Sequence, residues 1–461
     1  MLERLGARLE LLSGGPVDLP ARQRTLREAI GWSFDLLDEA ERILFRRLSV
    51  FSGGWTLEAA ESVADAHGEL GRDALQMLGS LVDKSLATKS PSSSDGVRLG
   101  MLETIRAFSA ERLDAAGETS GTRARHGSLF LSLAEAARPQ LRGVDQKRWL
   151  DRLELEHDNL RATLRWAIET EDAAVGLRLI AALWRFWHLH GHLDEGRRWP
   201  EEVLALPSAA DRTIERSGGL TALGGIAYWQ EDFATCRRAY EEALAIAREL
   251  GDRHAEAEGF YNLAYPPAYE GDMATAMKLV TKARSLFEEL GVRRGVADTM
   301  WLLAIVARIE GDMDTARARA EESLRIHREA GDRFGITDAL HVLGRIALAQ
   351  GDLVTAGSVY LEALKNDEEV GNRTGMGIVL DNLASKASAE GRHLPAVRLA
   401  GASAAVKAAA GGHAPPPFID LGDPTDPARQ ALGDAAVNAA WEEGQAMTLE
   451  QALAYARQEV G

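Results

Sequence analysis

The sequence contains a single cysteine, Cys236, among its 461 residues. A disulfide inside the chain needs two cysteines, so no disulfide framework supports the fold, as is usual in a reducing compartment. No apolar run approaches the roughly eighteen residues that cross a membrane, and the N-terminal MLERLGARLE lacks the apolar stretch of a secretory signal. We therefore expect a cytoplasmic protein without a membrane partner.

Basic residues are also in deficit, with 53 Lys and Arg against 70 Asp and Glu and a formal charge of −17. A chain so acidic is not drawn as a whole to nucleic acid or to anionic lipid. The dipeptide Gly-Lys is absent, and with it the Walker A loop that holds phosphates. The HExxH and Gly-x-Ser-x-Gly motifs are absent too. We predict that the protein is not an enzyme and has no catalytic residues, no cofactor and no metal site.

A fixed interval of forty residues runs through the middle of the chain. Gly271 opens GDMATAMKLV, Gly311 opens GDMDTARARA and Gly351 opens GDLVTAGSVY. A second glycine series lies half a period away, for example at Gly291 and Gly331. Two turn signals per period, separated by nearly twenty residues, predict two helices per repeat.

The residues between these turns indicate which helical repeat is present. The first helix carries a leucine followed by a small residue, as in Leu303-Ala304, and the second carries two small residues, as in Ala316 and Ser323. This order resembles the tetratricopeptide (TPR) pattern, whose usual length is about 34 residues. The extra residues lengthen both helices, because a glycine rather than a proline ends the second one. A weaker copy precedes the regular repeats, which predicts about six helix pairs in total.

The segment before the repeats does not follow the period. TLREAIGWSFDLL and DEAERILFRRLSVF are apolar at helical spacing, and Asp38 with Glu41 predicts a capping box. Thr56 is expected to cap TLEAAESVA. A third helix, ALQMLGSLVD, is expected to place Leu75, Leu78, Leu81 and Val82 on one side, and SLATK with VRLGM reads as a hairpin. Three helices and a hairpin predict a winged helix.

The fold class expected from these patterns is mainly α, with a winged-helix domain followed by a TPR-like α-solenoid of 40-residue repeats. Thr448 is expected to cap a last short helix that closes the solenoid. The predicted divisions are 1–21, an N-terminal helical lead-in; 22–118, the winged helix; 119–210, a helical linker and the first degenerate repeats; 211–410, the repeats of period 40; and 411–461, a Pro/Gly-rich break and a C-terminal helical cap.

Direct DNA reading by the third helix of the winged helix is disfavoured. A recognition helix needs cations for phosphates and donors for bases. Around ALQMLGSLVD, Arg72 and Lys84 are balanced by Asp73 and Asp83. We therefore expect a packing role for this helix, and DNA is not an expected partner of this chain alone.

Several other features permit a chemical and a structural interpretation. His188, His190 and His192 lie close together at a helix end, but Gly191 interrupts them and a third ligand in the right place is lacking, so ordinary polar residues are favoured over metal ligands. Cys236 occupies a site that is alanine in most repeats and is interpreted as a packing residue. A cluster of three tryptophans is interpreted as aromatic core in preference to a ligand cage. These are Trp184, Trp187 and Trp199.

A partner-binding groove follows from helix geometry. Residues two before and two after the shared leucine lie about 200° from it around the first helix, and so face away from the packed layer. The groove predicted from these positions, with the asparagines that precede two of the leucines, combines aromatic, polar and charged side chains. Its residues are Tyr261, Asn262, Tyr265, Trp301, Ile305, His341, Arg345, Asp381, Asn382 and Ser385. A protein or peptide ligand is expected here, and a plain solvated face is the alternative. Pro266-Pro267 is expected to kink one of the helices.

Taken together, LREAIGWSFDLLDEAERILFRRLSVFSGGWTLEAAE, MLETIRAFSAERL, LELEHDNLRATLRWAIE and WEEGQAMTLEQALAYA resemble the C-terminal half of an actinobacterial regulatory ATPase. The family is that of the NB-ARC-type signal-transduction ATPases, often described as LuxR-type or antibiotic-regulatory transcriptional regulators. The resemblance implies an NTPase domain before the winged helix and a TPR array that senses an inducer or a partner protein. Met101-Leu102-Glu103 stands where plant and animal relatives have Met-His-Asp at the nucleotide.

The chain departs from this family in lacking a Walker A loop and a C-terminal helix-turn-helix. We therefore expect a non-enzymatic regulatory or scaffold module, which binds a protein or peptide in its TPR groove and relays to the winged helix. An NTPase domain is an expected partner, in cis or in trans. The alternatives are a DNA-binding transcriptional regulator acting through the winged helix, and a sensor fragment of a regulatory ATPase.

Overall fold

The structure is a computed structural model that describes residues 26–66, 68–93, 96–411 and 423–460. The predicted lead-in at 1–21 and residues 412–422 of the predicted break lie outside the described residues. The fold class is confirmed: it is mainly α, with a winged helix followed by a TPR-like solenoid. None of the described helices combines the length and apolarity needed to cross a membrane.

The described chain divides into two compact units. The first comprises the described residues up to 134, together with 154–170. The second comprises 135–153 and the described residues from 171 onwards. The chain thus enters the second unit, returns to the first and leaves it again before the regular repeats begin.

The first part of the chain forms the winged helix and three further helices. These elements are α1 (Leu26–Asp35), α2 (Glu39–Leu48), α3 (Leu57–Ala64), α4 (Ala74–Asp83), β1 (Thr88–Ser93), β2 (Gly96–Gly100), α5 (Glu103–Ala115), α6 (Thr119–Gln140), α7 (Gln146–Leu155) and α8 (His157–Glu169).

The predicted caps of the winged helix are confirmed. Asp38 accepts a hydrogen bond from the backbone N–H of Glu41, and the Glu41 side chain accepts one from the Asp38 N–H, which completes the capping box of α2. Thr56 caps α3. These contacts satisfy backbone donors that have no partner inside a helix, and so fix where α2 and α3 begin.

The predicted apolar side of α4 is partly wrong. Leu78 and Leu81 are buried, but Leu75 is 60% exposed, and Met77 is the further large side chain that α4 buries. The buried residues Ala74, Met77, Leu78 and Leu81 form a stripe at i, i+3, i+4 and i+7, and Leu75 lies about 100° around the helix from Ala74, beside this stripe. The apolar stripe therefore runs through Met77 instead of Leu75.

The wing is an antiparallel hairpin in which Thr88 of β1 pairs with Gly100 of β2. The loop before α3 adds to it, because the backbone of Trp55 exchanges two hydrogen bonds with Leu99, of 2.8 and 2.9 Å. Gly54 allows this approach: its φ is +92°, and a Cβ there would lie 2.4 Å from the carbonyl oxygen of Leu99. The loop before α3 is therefore held against the wing by backbone hydrogen bonds.

Six consecutive helix pairs form the array. They are α9 (Ala173–His190) with α10 (Leu193–Leu204), α11 (Ile214–Trp229) with α12 (Phe233–Leu250), α13 and α14 (Arg253–Leu263 and Tyr265–Tyr269) with α15 (Met273–Glu289), α16 (Arg293–Ile309) with α17 (Met313–Ala330), α18 (Arg333–Ala349) with α19 (Leu353–Val370), and α20 (Arg373–Ala389) with α21 (His393–Ala409). The interruption between α13 and α14 falls just before Pro266-Pro267, as predicted.

The glycine series explains the turns of the array. Gly311 has a φ of +85° and Gly331 one of +64°, a left-handed conformation that ends a helix and suits glycine. The aspartate that follows begins the next helix: Asp312 accepts a hydrogen bond from the N–H of Thr315 at 3.0 Å. A Gly-Asp pair thus stops one helix and starts the next.

The small residue after the shared leucine is matched to the neighbouring helix. A Cβ on Gly344 would lie 2.3 Å from the Cε1 ring carbon of Tyr360, which is fully buried. Gly224 faces Tyr240 in the same way, at 2.6 Å. The two repeats with tyrosine in the second helix therefore require glycine in the first.

We predict that Gly344→Ala lowers the free energy of unfolding by about 1–3 kcal/mol, because the added methyl group overpacks against Tyr360. Alanine otherwise favours a helix over glycine by about 1 kcal/mol. The neighbouring repeat has Ala304 and Ala320 at the two equivalent positions. Thermal unfolding should therefore show a smaller cost of Gly344→Ala in a Tyr360→Ala background. An equal cost in both backgrounds would contradict the packing account.

The array curls until its first and last helix pairs touch. The Thr374 hydroxyl of α20 donates to the carbonyl oxygen of His188 in α9 at 3.2 Å. A Cβ on Gly191, which follows α9, would lie 3.1 Å from Ala410 at the end of α21. The inner side of the array is therefore bounded at this flank by its own helices.

Three further helices follow the last pair: α22 (Thr425–Leu432), α23 (Asp434–Gln445) and α24 (Leu449–Val460). The predicted cap of α24 is confirmed, since Thr448 accepts a hydrogen bond from the N–H of Gln451. Leu453 of α24 is buried in the same apolar cluster as Leu380 and Leu383 of α20. This helix therefore covers the last apolar face of the solenoid, as a terminal cap must.

Candidate ligand-binding cavity

The inner side of the array contains a cavity of about 120 Å³. One water molecule needs about 10–15 Å³, so the space suits a small organic molecule or one large side chain. Its walls come from the first helix of all six pairs, together with Tyr240 of α12 and Arg142, which lies between α6 and α7.

Most of the lining residues follow the forty-residue repeat. They occupy four positions on each first helix, at −5, −2, +2 and +5 from the shared leucine, all within about 140–220° of it at 100° per residue. Residues of this set are Arg185, His188, Gly225, Tyr228, Tyr261, Tyr265, Asp298, Trp301, Ile305, Arg308, Asp338, His341, Arg345 and Ile378. One face of each helix therefore points into the cavity, and the residue type on that face changes from repeat to repeat.

The structure places seven of the ten predicted groove residues in the lining. They are Tyr261, Asn262, Tyr265, Trp301, Ile305, His341 and Arg345. The other three, all on α20, are not in the lining. Asp381 forms an ion pair with Lys407 at 2.7 Å, Asn382 is fully buried, and the Ser385 hydroxyl donates to the carbonyl oxygen of Asp381. Helix α20 reaches the cavity through Ile378, which lies on the same face about one turn before Asp381.

The lining positions at −5 and +5, such as Asp338 and His188, were not among the predicted groove residues. The helical period that selected −2 and +2 contains them one turn further in each direction, so the signal was present. Arg142 carried no such signal, because it lies outside the repeats.

Aromatic rings form much of the wall. The hydroxyl groups of Tyr261 and Tyr265 are 2.5 Å apart, and the Tyr265 ring centroid lies 6.1 Å from that of Trp301. The indole N–H of Trp301 donates to the backbone oxygen of Asp338 at 3.0 Å, which fixes its ring across two repeats. Such rings offer flat apolar surfaces to a ligand.

A buried ion cluster holds Arg142 at the cavity. Its guanidinium bonds Asp298 at 2.7 and 2.9 Å and Asp332 at 2.9 Å. Burial alone would lower the pKa of Arg142, but the two carboxylates raise it well above its usual range. Arg142 and His327 likewise hold the pKa of Asp332 well below its usual range against the effect of burial. Arg142 thus connects the segment before α7 to α16 and α18.

A chain of hydrogen bonds fixes the protonation of His341. Arg345, which can only donate, bonds the Asn382 side-chain oxygen at 2.6 Å. The Asn382 amide nitrogen therefore faces Nδ1 of His341, at 2.7 Å, and donates to it. Burial, and then the charge of Arg345, lower the pKa of His341 to about 3, so its ring is neutral and carries its proton on Nε2. Nε2 is buried and has no partner among the described residues.

Two ionisable side chains of the lining also have no hydrogen-bond or ion-pair partner among the described residues. Arg185 lies over the ring of Trp184 at 4.4 Å, but no hydrogen bond or ion pair joins it to any residue that the structure describes. Burial, and then the charge of Arg142, lower the pKa of Arg185 to about 10, which leaves it charged at neutral pH. The Asp338 carboxyl likewise has no partner within the described residues, and burial, followed by Asp298, raises its pKa well above the usual range.

The three histidines at the end of α9 have different neighbours. His188 lines the cavity and stacks on Trp229, with ring centroids 4.2 Å apart. His190 and His192 lie beside Phe186 instead, at 5.4 and 5.5 Å. Each ring therefore has an aromatic packing partner.

The three tryptophans and Cys236 were interpreted from the sequence as packing residues. Of the tryptophans, Trp187 and Trp199 are buried, whereas Trp184 lines the cavity. The core interpretation therefore holds for two of the three. Cys236 is buried, and burial raises the pKa of its thiol, as suits a packing residue.

In the winged-helix unit, the cations beside α4 are engaged. Arg72 forms an ion pair with Asp38, and the Lys84 ammonium lies 3.1 Å from Glu41. An arginine or lysine that is already paired offers less to a DNA phosphate. The geometry at α4 is therefore that of a helix held within the domain.

The same unit contains a buried polar network beneath the wing. Arg98 of β2 bonds both carboxylate oxygens of Glu156, at 2.6 and 2.9 Å, and donates to the carbonyl oxygens of Gly53 and Gly54. Asn159 of α8 accepts from the N–H of Ser52 at 2.8 Å and donates to Glu156 at 2.7 Å. These bonds connect the wing to α8.

Comparison with known proteins agrees with the winged helix. Residues 37–114 match the family model described as a winged helix-turn-helix domain. A stretch of 249 residues is 34% identical to a Mycobacterium tuberculosis protein named as an HTH-type transcriptional regulator, and covers 52% of this chain and 28% of that protein. A counterpart in Mycobacterium bovis has the same identity and coverage.

Over 128 residues the chain is 32% identical to an uncharacterized protein of Mycobacterium tuberculosis, and these residues cover 27% of this chain and 32% of that protein. The chain thus spans less than a third of the length of these curated relatives. Among solved structures, it is similar to a signal transduction ATPase with a tetratricopeptide repeat sensor from Pyrococcus horikoshii, at 14% identity and a TM-score of 0.46, over 99% of this chain and 70% of that one. The chain contains a winged helix-turn-helix domain and is homologous to proteins named as HTH-type transcriptional regulators.

Proposed function

We propose that this protein is a non-enzymatic regulatory module, in which a ligand bound in the cavity of the TPR-like array alters the state of the winged-helix unit. The observation that carries this proposal is the cavity itself. Its lining changes from repeat to repeat, and it holds two polar groups that have no partner among the described residues, the guanidinium of half-buried Arg185 and the buried Nε2 of His341. Buried polar groups are normally satisfied, so a cavity with unmet donors suits a ligand that supplies acceptors.

The sequence predicted a protein or peptide ligand. Because α9 and α20 touch, an extended peptide does not have a trough that is open along its whole length. A protein ligand would insert one side chain or a chain terminus into the cavity, and a small molecule would occupy it entirely.

The proposed relay runs along the chain from residue 142 to 156. At one end, Arg142 is held by Asp298, which lines the cavity. At the other end, Glu156 is held by Arg98 of the wing. Helix α7 occupies most of the segment between them, and a helix transmits a displacement along its axis because its backbone is rigid. A ligand that competes for Asp298 or shifts Arg142 would thereby act on Glu156.

The resemblance to NB-ARC-type signal-transduction ATPases of the LuxR kind supports the same arrangement. We propose that an NTPase domain, in cis or in trans, receives the signal from the winged helix, and that the protein works in the cytoplasm. Leu102, at the place of the family's nucleotide-contacting histidine, is 59% exposed and makes no capping bond to α5. Its apolar side chain has no group to offer a phosphate.

Ligand binding can be tested by thermal shift of the full chain with a library of metabolites and short peptides. The variant Asn262→Trp fills the cavity, and Asn438→Trp is its exposed control. We expect at least one compound to stabilise the wild type and Asn438→Trp but not Asn262→Trp. If every stabilising compound also stabilised Asn262→Trp, the cavity would not be the binding site.

DNA binding through the winged helix is the second candidate, favoured by the winged helix-turn-helix match and by the names of the relatives. The paired cations at α4 weigh against it. Duplex DNA titrated into the full chain at 50 mM and 200 mM salt separates the two functions, since phosphate contacts weaken steeply over this range. Binding at low salt that is lost at high salt would support DNA recognition.

A further inference from the structure

The cavity also indicates which chemical class of ligand it takes, an inference that rests on the proposed function. The lining includes four arginines, Arg142, Arg185, Arg308 and Arg345, and two aspartates, Asp298 and Asp338. The cavity is therefore richer in cationic than in acidic side chains, although the chain has a formal charge of −17. A local excess of positive charge in a buried site favours an anion.

Two of the unmet polar groups of the lining agree with this sign. Arg185 presents a guanidinium without a hydrogen-bond acceptor in the described parts of the chain, and His341 presents an N–H at Nε2 that is buried without one. Both are donors, so the ligand has to bring acceptors. A guanidinium bonds the two oxygens of a carboxylate side by side, and an imidazole N–H fits a remaining lone pair.

Burial, followed by the neighbouring Asp298, raises the pKa of Asp338, which weakens its opposition to an anion. Both effects favour the neutral acid. A neutral carboxylic acid donates a hydrogen bond. Asp338 is therefore compatible with a third bond to a ligand oxygen.

The walls determine the rest of the ligand. Trp184 and Trp229 approach from the first two helix pairs and Trp301 from the fourth, with the two bonded tyrosine hydroxyls nearby. Flat π surfaces favour a flat apolar body. A volume of about 120 Å³ limits that body to one or two fused rings.

We propose that the cavity binds a small aromatic carboxylic acid, whose ring lies among the tryptophans and whose carboxylate accepts hydrogen bonds from Arg185 and from Nε2–H of His341. The ordered chain Arg345, Asn382, His341 positions the imidazole for this contact. Arg345 and Asn382 are thus positioning residues that hold the donor of the ligand bond.

The test is calorimetric titration of the full chain with three indole compounds that share a ring and differ in charge. Indole-3-acetate is the anion, indole-3-acetamide its neutral isostere and tryptamine the cation. We expect the acetate to bind at least tenfold more tightly than the amide, and tryptamine to bind more weakly still. Phenylacetate and benzoate test whether a smaller ring suffices.

Substitutions of Arg185 and His341 test whether these two side chains cause the preference for the anion. Arg185→Gln should reduce the affinity for indole-3-acetate at least tenfold and leave the affinity for the amide within about twofold. His341→Phe should reduce the affinity for indole-3-acetate at least threefold. The matched control is Arg198→Gln, because Arg198 lies over Trp199 at 4.5 Å as Arg185 lies over Trp184, but outside the cavity. This control should leave acetate affinity unchanged. Arg185 makes no ion pair with a described residue, so Arg185→Gln leaves no partner charge unpaired and should remain folded.

The proposal is overturned if none of the three acids binds at 5 mM, if the amide or tryptamine binds as tightly as the acetate, or if Arg185→Gln leaves the preference unchanged. Failure of the ligand class is distinguishable from failure of the proposed function. A basic, neutral or peptide ligand that stabilises the wild type but not Asn262→Trp would contradict the proposal of an aromatic acid and would still support ligand binding in the cavity. If no compound's binding depended on Asn262→Trp, both the aromatic-acid ligand and the proposed ligand-sensing function would be contradicted.

Discussion

Replacement of Arg142 by methionine is expected to lower the free energy of unfolding of the array by about 3–5 kcal/mol, the cost of breaking a buried ion pair from one side. Methionine keeps most of the aliphatic stem but leaves Asp298 and Asp332 without their shared cation. Asp332 is fully buried, so solvent cannot replace the lost charge. Hydrogen exchange of α16 and α18 measures the effect at the helices that Arg142 joins.

A matched control distinguishes the lost charge from lost packing. In a background with Asp298→Asn and Asp332→Asn, methionine at 142 no longer strands two carboxylates, and asparagine still caps α18 at Gly335. We expect the triple variant to recover at least half of the stability lost by Arg142→Met. Equal losses with and without the two asparagines would contradict the electrostatic account.

Replacement of Arg98 by methionine is expected to have an effect of similar size, about 3–5 kcal/mol, on the winged-helix unit. The change removes both bonds to Glu156 and leaves the carbonyl oxygens of Gly53 and Gly54 without this donor. Arg98 and Glu156 are about nine-tenths buried, so water does not compensate. Faster hydrogen exchange in β2 and α8 is the expected observation.

The control is Arg106→Met, which breaks a partly exposed ion pair with Glu103 one turn away on α5. Such pairs contribute roughly 0–1 kcal/mol. A double-mutant cycle of Arg98→Met and Glu156→Gln should give a coupling energy of about 1–3 kcal/mol. Additive effects of the two changes would mean that the pair does not hold the wing to α8.

Much of the fold could be predicted because it depends on local patterns. The forty-residue register of glycines and the aspartates after them fixed where helices stop and start, and Gly311 with Asp312 behaves as predicted. The capping box at Asp38 was equally readable. The exposed Leu75 was not, because α4 has enough apolar residues for two overlapping stripes, and spacing alone does not tell that the one through Ala74 and Met77 is buried.

The site could be predicted only in part, for a related reason. The helical period identified the inner face, and therefore Tyr261, Trp301 and His341. It could not tell that Asp381 of α20 would pair with Lys407 of α21, since the period does not show which charges of the two helices meet. The position of Arg142 could not be predicted, because this residue lies outside the forty-residue period. It is held at the cavity by Asp298 and Asp332, which are 156 and 190 positions further along the chain.

The central claim is that occupation of the cavity changes the winged-helix unit through the segment 142–156. Its most direct test is hydrogen exchange of the full chain with and without a compound whose binding is abolished by Asn262→Trp. The account predicts altered exchange in α16 and α18, which line the cavity, and also in β2 and α8, where Arg98 holds Glu156. Changes confined to the array, with β2 and α8 exchanging as in the free protein, would contradict it.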